Sequence, residues 1–297
     1  MLDAEDVRKA VPMTAAVNAV REAFLELGHF EVPQRLSFGG GTTLVMSACH
    51  TPTSTTVVKT LNLAPGRTPM ILGTLVWNTA EGQVVADAVE VTTLRTGAAS
   101  GVATDLLAPP SASRLALLGT GAQAADQVRA VAAVRPVRRL AVFGRNRARA
   151  SAFASRIRLE FPGMDVVVAS SAADAVADAE IVCCATSSST PLFDVDALPE
   201  RVHVNAIGSY LPSMRELPAE LLATAGCLVV DQVSAVLEEA GEVIHAVENG
   251  LVARDSLIEL GDALRQPPVV SGRTVFKSVG LAVQDWAVAR LLGEARV

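Results

Sequence analysis

Gly119-Thr120-Gly121-Ala122-Gln123-Ala124 is the stretch that most narrows what this chain can fold into. The apolar run Leu115-Ala116-Leu117-Leu118 ends abruptly in this Gly-x-Gly-x-x-Ala turn, and a helical pattern follows. Such a turn lets the backbone approach a pyrophosphate closely. The helix that opens next aims its unpaired N–H groups at the phosphate charge. The string alone is weak, because glycine-rich turns are common. The strand before it and the helix after it supply the context that the motif needs. It is read as a dinucleotide site, the alternative being an ordinary strand-to-helix turn.

Beyond the turn, strand and helix alternate. The apolar β-type runs are 115–118, 139–143, 165–168, 181–185, 202–206 and 227–230, with helical segments between most of them. That rhythm predicts an α/β fold with a doubly wound parallel sheet of the Rossmann type. The first third reads differently. A helix over 13–27 precedes short runs at 34–38, 43–48, 55–61, 70–77 and 83–89, punctuated by turns at Gly39-Gly40-Gly41, Pro65-Gly66 and Glu81-Gly82. A helix after Glu90 runs to about Leu107, where Pro109-Pro110 stops it and marks a domain boundary. The last stretch, 278–292, reads as a strongly amphipathic helix. The expectation is an α+β domain followed by an α/β domain.

A chain of 297 residues accommodates two domains, and one that is half apolar and only 4% aromatic suits parallel strands covered by Ala-rich helices. The net charge of −6, with scattered basic residues, argues against a nucleic-acid partner. No apolar segment is long enough for a bilayer, and Asp3, Glu5 and Asp6 do not fit a secretory signal. The four cysteines are irregularly spaced. Cys183 and Cys184 sit in an apolar run and read as core residues, which points to a reducing cytoplasm. His29, His50, His203 and His245 show no metal-ligand spacing, so no metal is expected. His203 reads as a core histidine, and Glu238, Glu239 and Glu242 as a solvated helix face.

The second strand of the nucleotide region indicates which dinucleotide is bound. NAD-preferring sites place an Asp or Glu about 20 residues beyond the glycines, on the ribose 2′-hydroxyl. Here the strand ends Val142-Phe143-Gly144-Arg145-Asn146-Arg147, with no acid. A carboxylate would repel a 2′-phosphate, whereas guanidinium groups chelate one. NADP(H) is therefore the expected cofactor, with NAD(H) as the alternative. The competing reading of Arg145 and Arg147 is a solvated helix start.

Several strings, in order, resemble the ornithine cyclodeaminase/mu-crystallin family. They are Val58-Lys59, Thr93-Leu94-Arg95-Thr96-Gly97-Ala98-Ala99-Ser100, the glycine turn, Val204-Asn205-Ala206-Ile207-Gly208-Ser209-Tyr210-Leu211-Pro212 with Arg215-Glu216, and Thr274-Val275-Phe276-Lys277-Ser278-Val279-Gly280-Leu281-Ala282. The resemblance implies a substrate-binding and dimerisation domain from residues 1–110 plus 278–297, a Rossmann domain over 111–277, and a homodimer. It also implies hydride transfer between a nicotinamide and a small α-amino or α-imino acid. The substrate carboxylate would be held by Arg35, Lys59 and Arg95. The cofactor would meet Thr96, Gly119, Thr120, Gly121, Ala122, Gln123, Arg145, Asn146, Arg147, Ala185, Thr186, Ile207, Gly208, Lys277, Ser278 and Val279. Arg35, in a short extended run, Lys59 and Arg95 also stand out without the family, the competing reading of each being a surface charge or a structural ion pair. Lys59 interrupts an uncharged run over 51–65, and Arg95 is the sole cation between Arg67 and Arg114.

In one respect the chain departs from the cyclodeaminases. They carry an Asp in the loop where this chain has Tyr210, and no carboxylate occurs from Asn205 through Arg215. Loss of ammonia needs a base, and a phenol is a poor one near neutral pH. The expected activity is thus NAD(P)H-dependent reduction of an α-imino acid, a ketimine or cyclic imine carboxylate, with Lys59, Arg95 and Tyr210 as candidate catalytic residues. The alternatives are a cyclodeaminase that recycles its NAD, and a non-catalytic NADPH-binding protein.

Overall fold

A computed structural model describes residues 1–64 and 71–295. The turn expected at Pro65-Gly66 and the first residue of the 70–77 strand lie outside the described residues. The chain forms two compact units, Met1–Ala99 with Gly280–Val297, and Ser100–Val279.

In the first unit, strands β1 (Phe30–Glu31), β3 (Thr43–His50), β4 (Thr55–Leu63), β5 (Ile71–Asn78) and β6 (Gln83–Asp87) form an antiparallel sheet in that spatial order, and β2 (Leu36–Phe38) pairs with β3. Helix α1 (Ala4–Ala10) is opened by a capping box. Asp3 accepts from the amides of Glu5 and Asp6, and Asp6 accepts from the amide of Asp3. Helix α2 (Met13–Leu25) buries Ala16, Val17, Ala19, Val20, Ala23 and Phe24, a stripe at helical spacing. Helix α3 (Ala88–Leu107) begins where β6 ends, so it starts before Glu90 and the preceding strand is shorter than the apolar run suggests.

In the second unit, eight strands are all parallel, in the order β13-β12-β14-β11-β10-β7-β8-β9. They are β7 (Arg114–Leu118), β8 (Arg139–Phe143), β9 (Asp165–Val168), β10 (Ile181–Cys184), β11 (His203–Ala206), β12 (Cys227–Val230), β13 (Ile258–Glu259) and β14 (Thr274–Lys277). Helices α4 (Ala124–Val134), α5 (Arg147–Glu160), α6 (Ala172–Val176), α7 (Ala219–Thr224), α8 (Val233–Glu239), α9 (Gly241–Glu248) and α10 (Leu260–Arg265) connect them. Leu115 and Leu117 of β7 join one core with α4 and α5. Ala116 and Leu118 join the other, with α6, α7 and α9. Alternate side chains thus feed two apolar layers, as a sheet covered on both faces requires. Strand order reverses between β7 and β10, the kind of switch point at which such sheets bind ligands.

Two expectations need correction. The stretch 274–277 was read without a strand, yet it is β14, paired with both β11 and β12. Four residues are too few to display a period, and only the sheet around them fixes their conformation. The final helix, α11 (Ala282–Glu294), starts later than expected and is not amphipathic in use. Residues 282 through 289 are all buried, because the helix lies against α2 and strands β3 to β6. Its polar residues Gln284 and Asp285 therefore sit in the core and require partners. No helix among the described residues is long and apolar enough to cross a membrane.

Candidate active site

The buried Asp285 organises the first unit. Lys59 enters from β4 and donates to both of its carboxylate oxygens, at 2.8 and 2.7 Å. A third Lys59 proton goes to the Thr92 hydroxyl at 3.2 Å. Arg95, one turn further along α3, places Nε 3.3 Å from Asp285 and donates from Nη1 to Gln284 at 2.6 Å. Arg35 donates to the carbonyl of Gly280 at 2.9 Å. Gly280 adopts φ +86°, and a β-carbon there would collide with the Arg95 guanidinium. Only glycine lets the chain pass so close to that side chain.

The structure places Arg35, Lys59 and Arg95 in the same unit, with Lys59 and Arg95 paired to one carboxylate. It adds Gln284 and Asp285, which sequence reasoning missed. Lys59 and Arg95 lie on the carboxylate of Asp285, and Arg35 is near enough for its charge to act on Lys59. Burial lowers the Lys59 pKa to about 7, and the charges of Arg95 and Arg35 push the same way against the attraction of Asp285. Lys59 and Arg95 are buried beside Asp285 and Arg35 is half-buried, and a group of cations of this kind suits an anion. The planar guanidinium of Arg95, beside an ammonium, suits a carboxylate.

In the second unit the glycine turn leaves β7 at the switch point. Gly119 has φ +106°, and a β-carbon there would strike the carbonyl of Ala185 at the end of β10. Gly121 and Ala122 are exposed, with open space around the Gly121 α-carbon. The amides of Thr120, Gly121 and Ala122 donate no hydrogen bond among the described residues. Gln123 stands at the N-cap of α4, and Ala124 packs in the core beneath it. A pre-formed concavity of unpartnered amides at a helix N-terminus fits a dinucleotide pyrophosphate.

Arg145, Asn146 and Arg147 follow β8 and are exposed. Asn146 is partly committed, since its side chain accepts from the Arg149 amide at 3.0 Å and caps α5. Thr186 donates its amide and hydroxyl to Glu216, at 2.6 and 2.9 Å, and Gly208 donates its amide to the same carboxylate at 2.7 Å. A β-carbon on Gly208 would strike the Thr186 backbone. Glu216 therefore brackets the turns that follow β10 and β11. Ile207 is buried between them, and Tyr210 is half-buried further along, its hydroxyl without a hydrogen bond among the described residues.

Other residues expected at the cofactor have partners within the chain. Lys277 is fully buried. It donates to the Ser209 carbonyl and hydroxyl at 2.7 and 2.6 Å and forms an ion pair with Glu242 at 3.1 Å. Glu242, read as part of a solvated face, is instead a buried partner of Lys277 and Ser209. Ser278 and Val279 donate to Asp231, at 2.8 and 2.9 Å. The Thr96 hydroxyl bonds its own helix at the Thr92 carbonyl. His203 is a core residue bonded to Thr274 and Asn205, and burial lowers its pKa to about 4. Cys183 and Cys184 are buried free thiols, Cys183 being pushed up to about 12 by burial.

Known proteins match both units. A Δ1-pyrroline-2-carboxylate reductase of Bacillus cereus is 40% identical over 228 residues, covering 74% of this chain and 69% of the relative. The mouse ketimine reductase mu-crystallin is 33% identical over 222 residues, covering 73% and 67%. The solved structure of a Thermococcus litoralis Δ1-pyrroline-2-carboxylate reductase, in complex with NADH and L-proline, superposes with a TM-score of 0.92. It is 29% identical and covers 99% of this chain and 96% of that one. The ornithine cyclodeaminase/mu-crystallin family profile matches residues 1–296, and the chain is a member of the ornithine cyclodeaminase/mu-crystallin family.

Proposed function

We propose that this protein is an NAD(P)H-dependent reductase of cyclic imine carboxylates, with Δ1-pyrroline-2-carboxylate as the first substrate to test. The observation that carries this reading is the pairing of Lys59 and Arg95 on the carboxylate of Asp285, with Arg35 close by. A group of cations of this kind suits a substrate carboxylate. One named relative is a Δ1-pyrroline-2-carboxylate reductase, whose substrate carries a carboxylate, and another is a ketimine reductase.

A nicotinamide, when bound, would supply the hydride for the C=N carbon, and the imine nitrogen would need one proton from the protein to give the amine. Arg95 and Arg35 hold the substrate carboxylate. Lys59 Nζ supplies the proton. Its 3.2 Å bond to Thr92 is the longest of its three and the one a substrate replaces. Asp285 keeps the ammonium oriented, so Lys59 is both charge partner and acid. A Lys59 pKa near 7 matches proton donation at neutral pH. The reading includes a homodimer, supported by the exposed apolar side chains of Leu36, Phe38, Val58 and Leu72 on the strands of the first unit.

The test is NADPH consumption with pyrroline- and piperideine-2-carboxylate, with product identification. Saturable formation of proline or pipecolate is expected. Ammonia release from ornithine or lysine without net NADPH change would show a cyclodeaminase instead. NADPH binding without turnover of any imine would show a binding protein.

NADPH is the preferred form in this reading, because no acid occurs from Phe143 through Arg149 and the Arg145 and Arg147 side chains are exposed. Arg145→Asp should reduce the NADPH-to-NADH ratio of kcat/KM by about tenfold or more, since a carboxylate there repels the 2′-phosphate. Native protein that uses NADH as well as NADPH would reject the preference.

A further inference from the structure

We propose that Glu26, His29 and His50 form a binding site for one divalent transition cation of the zinc class, on the first unit and apart from the cation cluster. The ligand atoms of the three residues all lie within 4.8 Å of one another. His50 Nε2 stands 3.4 Å from Glu26 Oε2. That is roughly the 3.4 Å edge of a tetrahedron built on metal–ligand bonds of ~2.1 Å. Two imidazoles and one carboxylate leave the fourth position to water, and nitrogen-rich sets of this kind select zinc-like ions over calcium or magnesium.

His50 gives the independent sign of a ligand. Only 6% of it is exposed, and its Nε2 atom is buried without a hydrogen-bond partner. The ring is fixed from other directions. Phe30 and Trp286 pack against it, with ring centroids 4.7 and 4.9 Å away. Its Nδ1 lies 2.8 Å from the Thr53 hydroxyl, which lies 2.8 Å from that of Thr55, and Thr55 accepts from the Trp286 indole at 2.9 Å. In the tautomer that donates Nδ1–H to Thr53, Nε2 presents its lone pair toward Glu26 and His29. A hydrogen-bonded second nitrogen is how ligating imidazoles are normally held.

The backbone brings the other two ligands into place. Phe30 pairs with His50 across β1 and β3, so His29 falls beside the end of β3. The His29 amide donates to the Glu26 carbonyl at 2.7 Å, and the His29 carbonyl accepts from both the amide and hydroxyl of Thr51 at 3.0 Å. Glu26 is the C-cap of α2, where the helix dipole favours a cation. Cys49 precedes His50 on β3 and points to the opposite face.

The full chain, stripped with EDTA, would be titrated with zinc chloride by calorimetry and with cobalt chloride by absorption spectroscopy. One cation per chain is expected, with a cobalt spectrum free of thiolate charge transfer. His29→Ala and Glu26→Gln change exposed residues, and each should weaken binding at least about tenfold. His245→Ala should leave it unchanged. The proposal is overturned if the native chain binds no zinc, if His29→Ala binds as tightly as the native chain, or if the cobalt spectrum shows thiolate ligation. Melting curves would establish that each variant is folded.

Discussion

Lys59→Met and Arg95→Met should each lower kcat/KM for imine reduction by about 10²–10³-fold, equivalent to ~3–4 kcal/mol of transition-state stabilisation. Both side chains are buried, so their charges act on a bound carboxylate with little solvent screening. The effect on KM should be larger for Arg95→Met, which removes a carboxylate fork. The effect on kcat should be larger for Lys59→Met, which also removes the proton source. NADPH binding should hold within about twofold in both, because the nucleotide turn lies in the other compact unit. Each variant also leaves Asp285 with one close cation fewer, and breaking a buried pair costs about 3–5 kcal/mol when no other partner exists. The cation that remains in each variant should keep the loss toward the lower end. Unchanged kinetics in both variants would reject the carboxylate clamp.

The pH behaviour separates the two roles of Lys59. Its ammonium is present below about pH 7 and lost as pH rises through that value, so the rate of reduction should fall over the same range. Stability should move the other way. An unfolded lysine titrates at 10.5, so between about 7 and 10.5 the unfolded chain binds the extra proton and folding gains with rising pH. Lys59→Met should flatten both profiles. A native rate that rises through pH 7 would remove Lys59 as the acid.

The features legible in the sequence were those that broke a local rule. Lys59 interrupts an uncharged strand, and the Gly119 turn ends a strand abruptly, so both announced themselves. Asp285 did not. Its partner Lys59 is 226 positions away, and in a helix that reads as amphipathic it looks like a surface charge. Only the enclosure of α11 makes it central. Glu242 misled for the same reason, since its burial depends on Lys277 from a strand too short to recognise. The histidines showed no ligand spacing because strand pairing, not sequence distance, brings His29 to His50. Glu216 was visible only as part of a family string, because its bonds run to two turns that the sequence does not show as neighbours.

Glu216 accordingly supports the second large prediction. Its carboxylate receives three donors, two from Thr186 and one from Gly208, and it is fully buried. Glu216→Ala orphans all three, and each bond to a charged group is worth about 1.5–3 kcal/mol before relaxation and water entry. A net loss of ~3–5 kcal/mol is expected, which for a unit of this size lowers Tm by about 10 °C. Nucleotide affinity should fall at least about tenfold as the two turns separate. Glu216→Gln is the sharper probe. It keeps an acceptor for Thr186 but sets an amide N–H against the Gly208 N–H, so it should cost ~2 kcal/mol although the shape is conserved. Thr186→Val removes the hydroxyl alone and should cost ~1 kcal/mol. Combined with Glu216→Ala it should add almost nothing, because the two act through one network. Melting curves and NADPH titrations order the three variants, and Glu216→Gln behaving as native in both would show that the bracket does not hold these turns.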